Sequence, residues 1–181
     1  MGVSVMHKFF VDKTKFYSAL PFIKNLKRYP VKIGYLKENE YVIISGYELY
    51  NILRIFDPNG TTYSKPEAKL VTDKSEKEIT LNEAYEIFDK CENIIHKERY
   101  ELDINNVLWI VDIFMLNNDG INIGEVYIDN FDKPEWVLDE ITNKQYDNVS
   151  LAYQPKNNSA KNIKRDCKNC PKHNNCSKKN V

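Results

Sequence analysis

Three stretches between His96 and Tyr153 share one pattern. His96 to Asp103, Leu108 to Phe114 and Gly120 to Asp129 are rich in β-branched and aromatic residues. They are separated by turn residues, Asn105-Asn106 and Asn117 to Gly120, and the spacing predicts three strands. Lys97 and Arg99 are two apart, so one strand carries both on the same face. Asp112 lies inside the apolar run Leu108 to Met115, and Glu125 lies in the next strand. Sparse charges of both signs, in strands this hydrophobic, predict a polar interior surface such as a barrel presents to a ligand.

The remainder reads in the same way. Val3 to Val11 alternates as a first strand, with Lys8 as its charged member. Asp12 is placed to cap a helix over Lys13 to Leu20, expected to act as a plug or lid. Pro21 and Pro30 bracket a connection. Strands are expected at Val31 to Leu36, Tyr41 to Ile44, Asn51 to Phe56 and Thr61 to Val71, with a turn at Asp57 to Gly60. Lys74, Glu76 and Glu78 follow at period two, which puts all three on one strand face. Thr80 and Glu83 have capping-box spacing before a helix over Leu81 to Cys91, which buries Leu81, Ala84, Ile87 and Phe88.

The order of these motifs resembles the CYTH superfamily of triphosphate tunnel metalloenzymes. The resemblance is carried by Lys97-x-Arg99-Tyr100, Trp109-x-Val111-Asp112-x-Phe114, the Glu125 strand, Glu140-Ile141-Thr142 and Tyr146-x-Asn148-x-x-Leu151-Ala152. It is strong over residues 94–153 and weaker over 4–90. It implies an α+β, mainly β fold: an antiparallel β-barrel tunnel of about eight strands with outer helices, filling residues 1–154. It also implies that Lys8, Arg54, Lys65, Lys74, Lys97 and Arg99 bind phosphate, with Lys69 replacing Lys65 if the register shifts. Polyphosphate recognition needs such convergence, Arg as a bidentate fork and Lys as a point charge. Glu76, Glu78, Asp112 and Glu125 are the implied catalytic carboxylates, holding Mg2+ or Mn2+.

The chain departs from the family pattern on the metal side. Ser4 and Met6 stand where the opening Glu-x-Glu pair is expected, and a hydroxyl and a thioether are poor ligands for a hard cation. Ile110 and Tyr127 replace two further acidic positions, and Ile52 replaces one cation beside Arg54. The anion side is therefore better kept than the metal side.

Composition adds the tail. The 181 residues are 29% charged and 42% hydrophobic with a formal net charge of zero, and no apolar run reaches membrane-span length. A cytoplasmic protein without a membrane segment is the expectation. The neutral total hides an asymmetry. Residues 155–181 hold eight Lys or Arg against one acidic residue, Asp166, a net of +7 that leaves −7 on the body. Cys167, Cys170, His173 and Cys176 fall within ten residues there, a spacing suited to tetrahedral Zn2+. Cys91 in place of His173 would instead give four thiolates for an iron–sulfur cluster. A basic, aromatic-free tail of this kind is a candidate for contact with nucleic acid or a protein partner. His7 and His96 receive no role, and Trp109 and Trp136 read as packing.

Two functional readings follow. In the first, the chain binds a triphosphate-containing ligand, inorganic triphosphate or a nucleotide, and retains weak metal-dependent hydrolysis. In the second, it is a non-catalytic nucleotide or polyphosphate sensor, or an adaptor acting through its tail. The sequence leaves the oligomeric state open.

Overall fold

A computed structural model describes residues 6–48 and 62–157. The strands are β1 (His7–Val11), β2 (Lys27–Lys37), β3 (Glu40–Ser45), β4 (Thr62–Tyr63), β5 (Glu67–Val71), β6 (Glu76–Ile79), β7 (Asn93–Ile104), β8 (Val107–Phe114), β9 (Asn122–Val126) and β10 (Val137–Glu140). The helices are α1 (Lys13–Ala19), α2 (Leu81–Phe88) and α3 (Asn148–Tyr153). All ten strands belong to one sheet, in the order β10-β1-β9-β8-β7-β2-β3-β5-β6. Every pairing along it is antiparallel, and β4 adds to β2 in parallel.

Alternation fixes what each face does. Phe9, Val11, Tyr100, Leu102, Trp109, Val111 and Val126 fall on one face and are buried together with Trp136 and with Phe16 of α1. Helix α1 starts at Asp12, whose carboxylate accepts from the Thr14 and Lys15 amides at 3.0 Å. It packs on this apolar face, with Phe16 edge-on to Tyr100 and Trp136. So it is an outer brace, and the plug expected there is absent from α1. Further along the same face α2 covers Val42, Ile44 and Ala68. Its start is the expected capping box, with Thr80 and Glu83 satisfying each other's backbone N–H groups. Helix α3 takes the opposite face, where Leu151 and Ala152 are buried against Val31, Ile33, Tyr35, Ile95 and Ile123.

The β7–β8 hairpin turns on Asn105 and Asn106, at φ 54° and 62°. A two-residue loop of this hand needs positive φ at both positions, which Asn tolerates. Pro30 lies inside β2, yet its carbonyl accepts from Gly46 N at 3.1 Å just beyond the end of β3. Its missing N–H therefore falls at the end of a ladder, where proline is tolerated.

Several expectations are corrected. The sheet is not closed into an eight-stranded barrel: among the described residues its two ends, β10 and β6, do not pair. Closure requires a tilt and register stagger that bring the outer strands together, and here both are only four residues long. Thr61 to Val71 divides into β4 and β5. Lys74 does not extend β6 but sits in the β5–β6 turn, where Thr72 Oγ1 accepts from the Lys74 and Ser75 amides. Helix α2 stops at Phe88, short of Cys91. Ser4, Ile52, Arg54, the Asp57–Gly60 turn and the tail residues Cys167, Cys170, His173 and Cys176 lie outside the described residues.

Candidate functional site: a charged face under α3

Residues directly opposite in an antiparallel pair share a face, so register shows which charges meet. Lys8 pairs with Glu125, Glu125 with Ile110, and Ile110 with Glu101 on β7. On β7 the same face carries Arg99, opposite Asp112 on one side and Tyr29 on the other, and Lys97, opposite Val31. Val31 leads through Ser45 to Glu67, and Lys69, two residues on, is opposite Glu78. Lys8, Lys69, Glu78, Lys97, Arg99, Asp112 and Glu125 therefore occupy a single face that crosses eight strands. α3 packs on that face.

The centre is a buried ion cluster. Asp112 is 4% exposed and Lys97 is 1% exposed. Lys97 Nζ donates to Asp112 Oδ2 at 2.7 Å, Arg99 Nε to Oδ1 at 2.7 Å, and an Arg99 terminal nitrogen to Oδ2 at 2.8 Å. The Asn148 amide oxygen accepts a further Lys97 bond at 3.1 Å. Burial alone would raise the Asp112 pKa, but Lys97 and Arg99 outweigh it and hold the carboxyl down at about 2. Burial pushes the Lys97 ammonium below the ordinary lysine value against the pull of Asp112. Burial opposes the Arg99 charge too, yet its bonds to Asp112 raise it further above the usual range. The arrangement holds two cations rigidly, with Asp112 as the bracket between them.

A second group lies beside it. Lys8 Nζ donates to Asp147 Oδ1 at 2.5 Å and is 3.5 Å from Glu125 Oε1. Glu125 acts electrostatically on both Lys97 and Arg99, so three cations meet in one neighbourhood. Tyr29 adds a hydroxyl that donates to Glu101. Its pKa is raised, by burial first and then by that bond. A third group, more exposed, sits at the sheet end, where Lys69 Nζ donates to Glu76 Oε1 at 2.6 Å.

Lys69, Lys97 and Arg99 line one cleft of about 280 Å3 together with Glu67, Asn148 and tyrosines of β2 and β3. A larger hollow of about 490 Å3 lies by the β7–β8 hairpin, but its lining includes Asp129 and Asp132 and no Lys or Arg, which does not suit an anion. Lys65 precedes β5, and Lys69 rather than Lys65 reaches the cleft lining. Asp147, Asn148 and Tyr29 are site residues that strand-by-strand reading missed. The Tyr146-x-Asn148 motif was visible, but only the fold brings α3 onto β7.

The expected carboxylates do not assemble as a metal centre. Among the described residues no three of His, Cys, Asp and Glu come close enough to hold an ion. The reason is electrostatic. Asp112 is engaged by Lys97 and Arg99, Glu125 lies beside Lys8, and Glu76 is bonded to Lys69. Met6 is exposed. Cys91 is buried under α2, where burial pushes its thiol up. No helix among the described residues is long and apolar enough to cross a membrane.

No protein-family model matches the chain. A curated relative, an inorganic triphosphatase of Acetivibrio thermocellus, is 36% identical over 90 residues, which is 46% of this chain. The match spans 58% of that relative's length. A crystal structure of an inorganic triphosphatase superposes with a TM-score of 0.56 over 84% of this chain and 95% of its own, at 18% identity. A second crystal structure of that same protein gives a TM-score of 0.55 over 82% of this chain and 97% of its own, also at 18% identity. These two likenesses concern the fold.

Proposed function

We propose that the chain is a member of the CYTH superfamily of triphosphate tunnel proteins, a reading supported by its likeness to an inorganic triphosphatase, and that its charged face binds a triphosphate-containing ligand and hydrolyses it, with inorganic triphosphate as the first substrate to test. The observation that carries this reading is the shared strand face, on which Lys69, Lys97 and Arg99 line a cleft of about 280 Å3 and Lys8 lies further along the same face.

Arg99 and Lys97 are the anchors. They are held by Asp112 before any ligand arrives, so little ordering is needed when phosphate oxygens replace water. Asp112 then acts as a positioning residue. Lys8 and Lys69 extend the contact to the two sides; Lys65 and Lys74 are not among the residues lining the cleft, and Arg54 lies outside the described residues. Phosphoryl transfer needs positive charge fixed where negative charge develops, and these cations supply it. Mg2+ or Mn2+ would neutralise the phosphates in such chemistry. Asp112, Glu125 and Glu76 do not fit that role as they stand, because each is paired with a cation, so no step is assigned through a metal. Glu76, Glu78 and Glu125 remain the carboxylates to test for hydrolysis.

The experiment is titration of the protein with inorganic triphosphate, following thermal stabilisation and phosphate release with and without Mn2+. Arg99→Ala is expected to weaken binding by roughly 10- to 100-fold, the worth of charge-assisted bonds. Binding unchanged in a folded Arg99→Ala protein would refute the site. Stabilisation without release would leave a binding protein and remove the hydrolase reading.

A further inference from the structure

Counting charge at the centre of the site exposes a mismatch. Three cations, Lys8, Lys97 and Arg99, face three carboxylates, Asp112, Glu125 and Asp147. The group is neutral, and a neutral group is a poor host for a polyanion. Some carboxylate has to give way. Asp112 is held by three bonds, and its side chain is 5% exposed. Glu125 is 16% exposed. Asp147 is 43% exposed and holds Lys8 through one contact.

Asp147 also occupies an unusual position. It is the N-cap residue of α3, where an aspartate ordinarily accepts from the helix's first amides. Here its side chain makes no capping bond, and its carboxylate is turned to Lys8 Nζ at 2.5 Å. Its neighbour Asn148 accepts from Lys97. Two consecutive residues at the start of α3 thus sit on two of the three central cations.

We propose that Asp147 is an intramolecular competitor for the anion site. Its carboxylate occupies Lys8 in the free protein and is exchanged for a phosphate oxygen when ligand binds, so that α3 sets the affinity threshold of the site. The inference rests on the anion-binding reading above. On exchange Asp147 turns back to the α3 amides it leaves uncapped, which offsets part of the loss of Lys8.

The test is calorimetric titration of the full chain with inorganic triphosphate in the presence of EDTA, comparing wild type with Asp147→Ser, Asp147→Asn and Asp147→Glu. Serine removes the charge and remains a good cap, so α3 is kept. A partly exposed pair of this kind is worth up to about fivefold in an equilibrium constant. Asp147→Ser and Asp147→Asn are expected to bind about three- to fivefold more tightly, while Asp147→Glu stays near wild type. Glu40→Gln on β3 removes one negative charge at a partly exposed pair with Lys37, with four strands of the sheet between β3 and the strand of Lys8, and is expected to leave affinity within about twofold. Wild type binding triphosphate with Asp147→Ser no tighter would overturn the competitor role and leave the site reading intact. A gain equally large in Glu40→Gln would overturn it as well, reducing the effect to net charge. Failure of every protein to bind triphosphate would sink the site reading, and the competitor with it.

Discussion

Replacing Asp112 by alanine tests the central cluster most directly. At neutral pH the carboxylate is buried between Lys97 and Arg99. Its pKa falls from 3.8 to about 2, which corresponds to about 2 kcal/mol of stability. Burial works in the opposite sense at Lys97, so the pair itself adds only modestly to that figure. The larger effect is what the substitution leaves behind. A lysine 1% exposed would lose its carboxylate and keep, among the described residues, one hydrogen bond, to Asn148. Breaking a buried pair from one side costs about 3–5 kcal/mol. Urea unfolding at pH 7 should therefore show Asp112→Ala less stable by about 3 kcal/mol, a midpoint lowered by about 1.5 M at a slope of about 2 kcal/mol/M. The double variant Asp112→Ala with Lys97→Met should recover part of this, because only Arg99, which reaches solvent, stays unpaired. The pH dependence has a defined sign. A depressed carboxylate stabilises the fold above its unfolded pKa near 4, and that contribution disappears as pH falls through about 2. A loss below about 1 kcal/mol, or a double variant no better than the single, would refute the buried-cluster account.

Other consequences are independent of the site. His7 Nδ1 donates to Glu140 Oε1 at 2.9 Å and the ring faces Asp129, and the Glu140 bond raises its pKa. That stabilisation is complete below the ordinary value of 6.5 and is lost as pH rises through the raised value. The gap in melting temperature between wild type and His7→Ala should thus be wider at pH 5.5 than at pH 8.5; an equal gap at both would exclude the pairing. Thr80→Ala breaks the α2 capping box and should cost about 1 kcal/mol in denaturant unfolding; no change would show the cap is idle. Gly34→Ala would place a methyl 2.9 Å from Cys91 Sγ and from Phe88. Overpacking of this kind costs about 1–3 kcal/mol, so thermal unfolding should shift down, and an unshifted transition would mean that α2 yields freely.

Local chemistry was legible in the sequence wherever one short segment determined it. The Asp12 cap, the Thr80 capping box, the Asn105-Asn106 turn and the face shared by Lys97 and Arg99 each depend on neighbours within a few residues. Period two also placed Asp112 and Glu125 on strands, because alternation commits a side chain to a face before its partners are known. Relations between segments were not legible in this way. The pattern allowed a closed barrel, whereas β6 and β10 are short and unpaired with each other among the described residues. It offered α1 as a plug or lid, whereas Phe16 packs on Tyr100 and Trp136, and α3 takes the charged face. It offered Lys74 as a strand residue, whereas Thr72 closes a turn around it. Above all, a list of acidic residues does not say which cation each will meet. Lys97 and Asp112 are brought together by the β7–β8 register, and Lys8 and Asp147 are 139 positions apart. Sequence alone determined which side chains carry charge and which face each strand turns inward. Tertiary structure decided which charges neutralise each other, because Coulomb attraction depends on distance and burial, and both are properties of the assembled sheet.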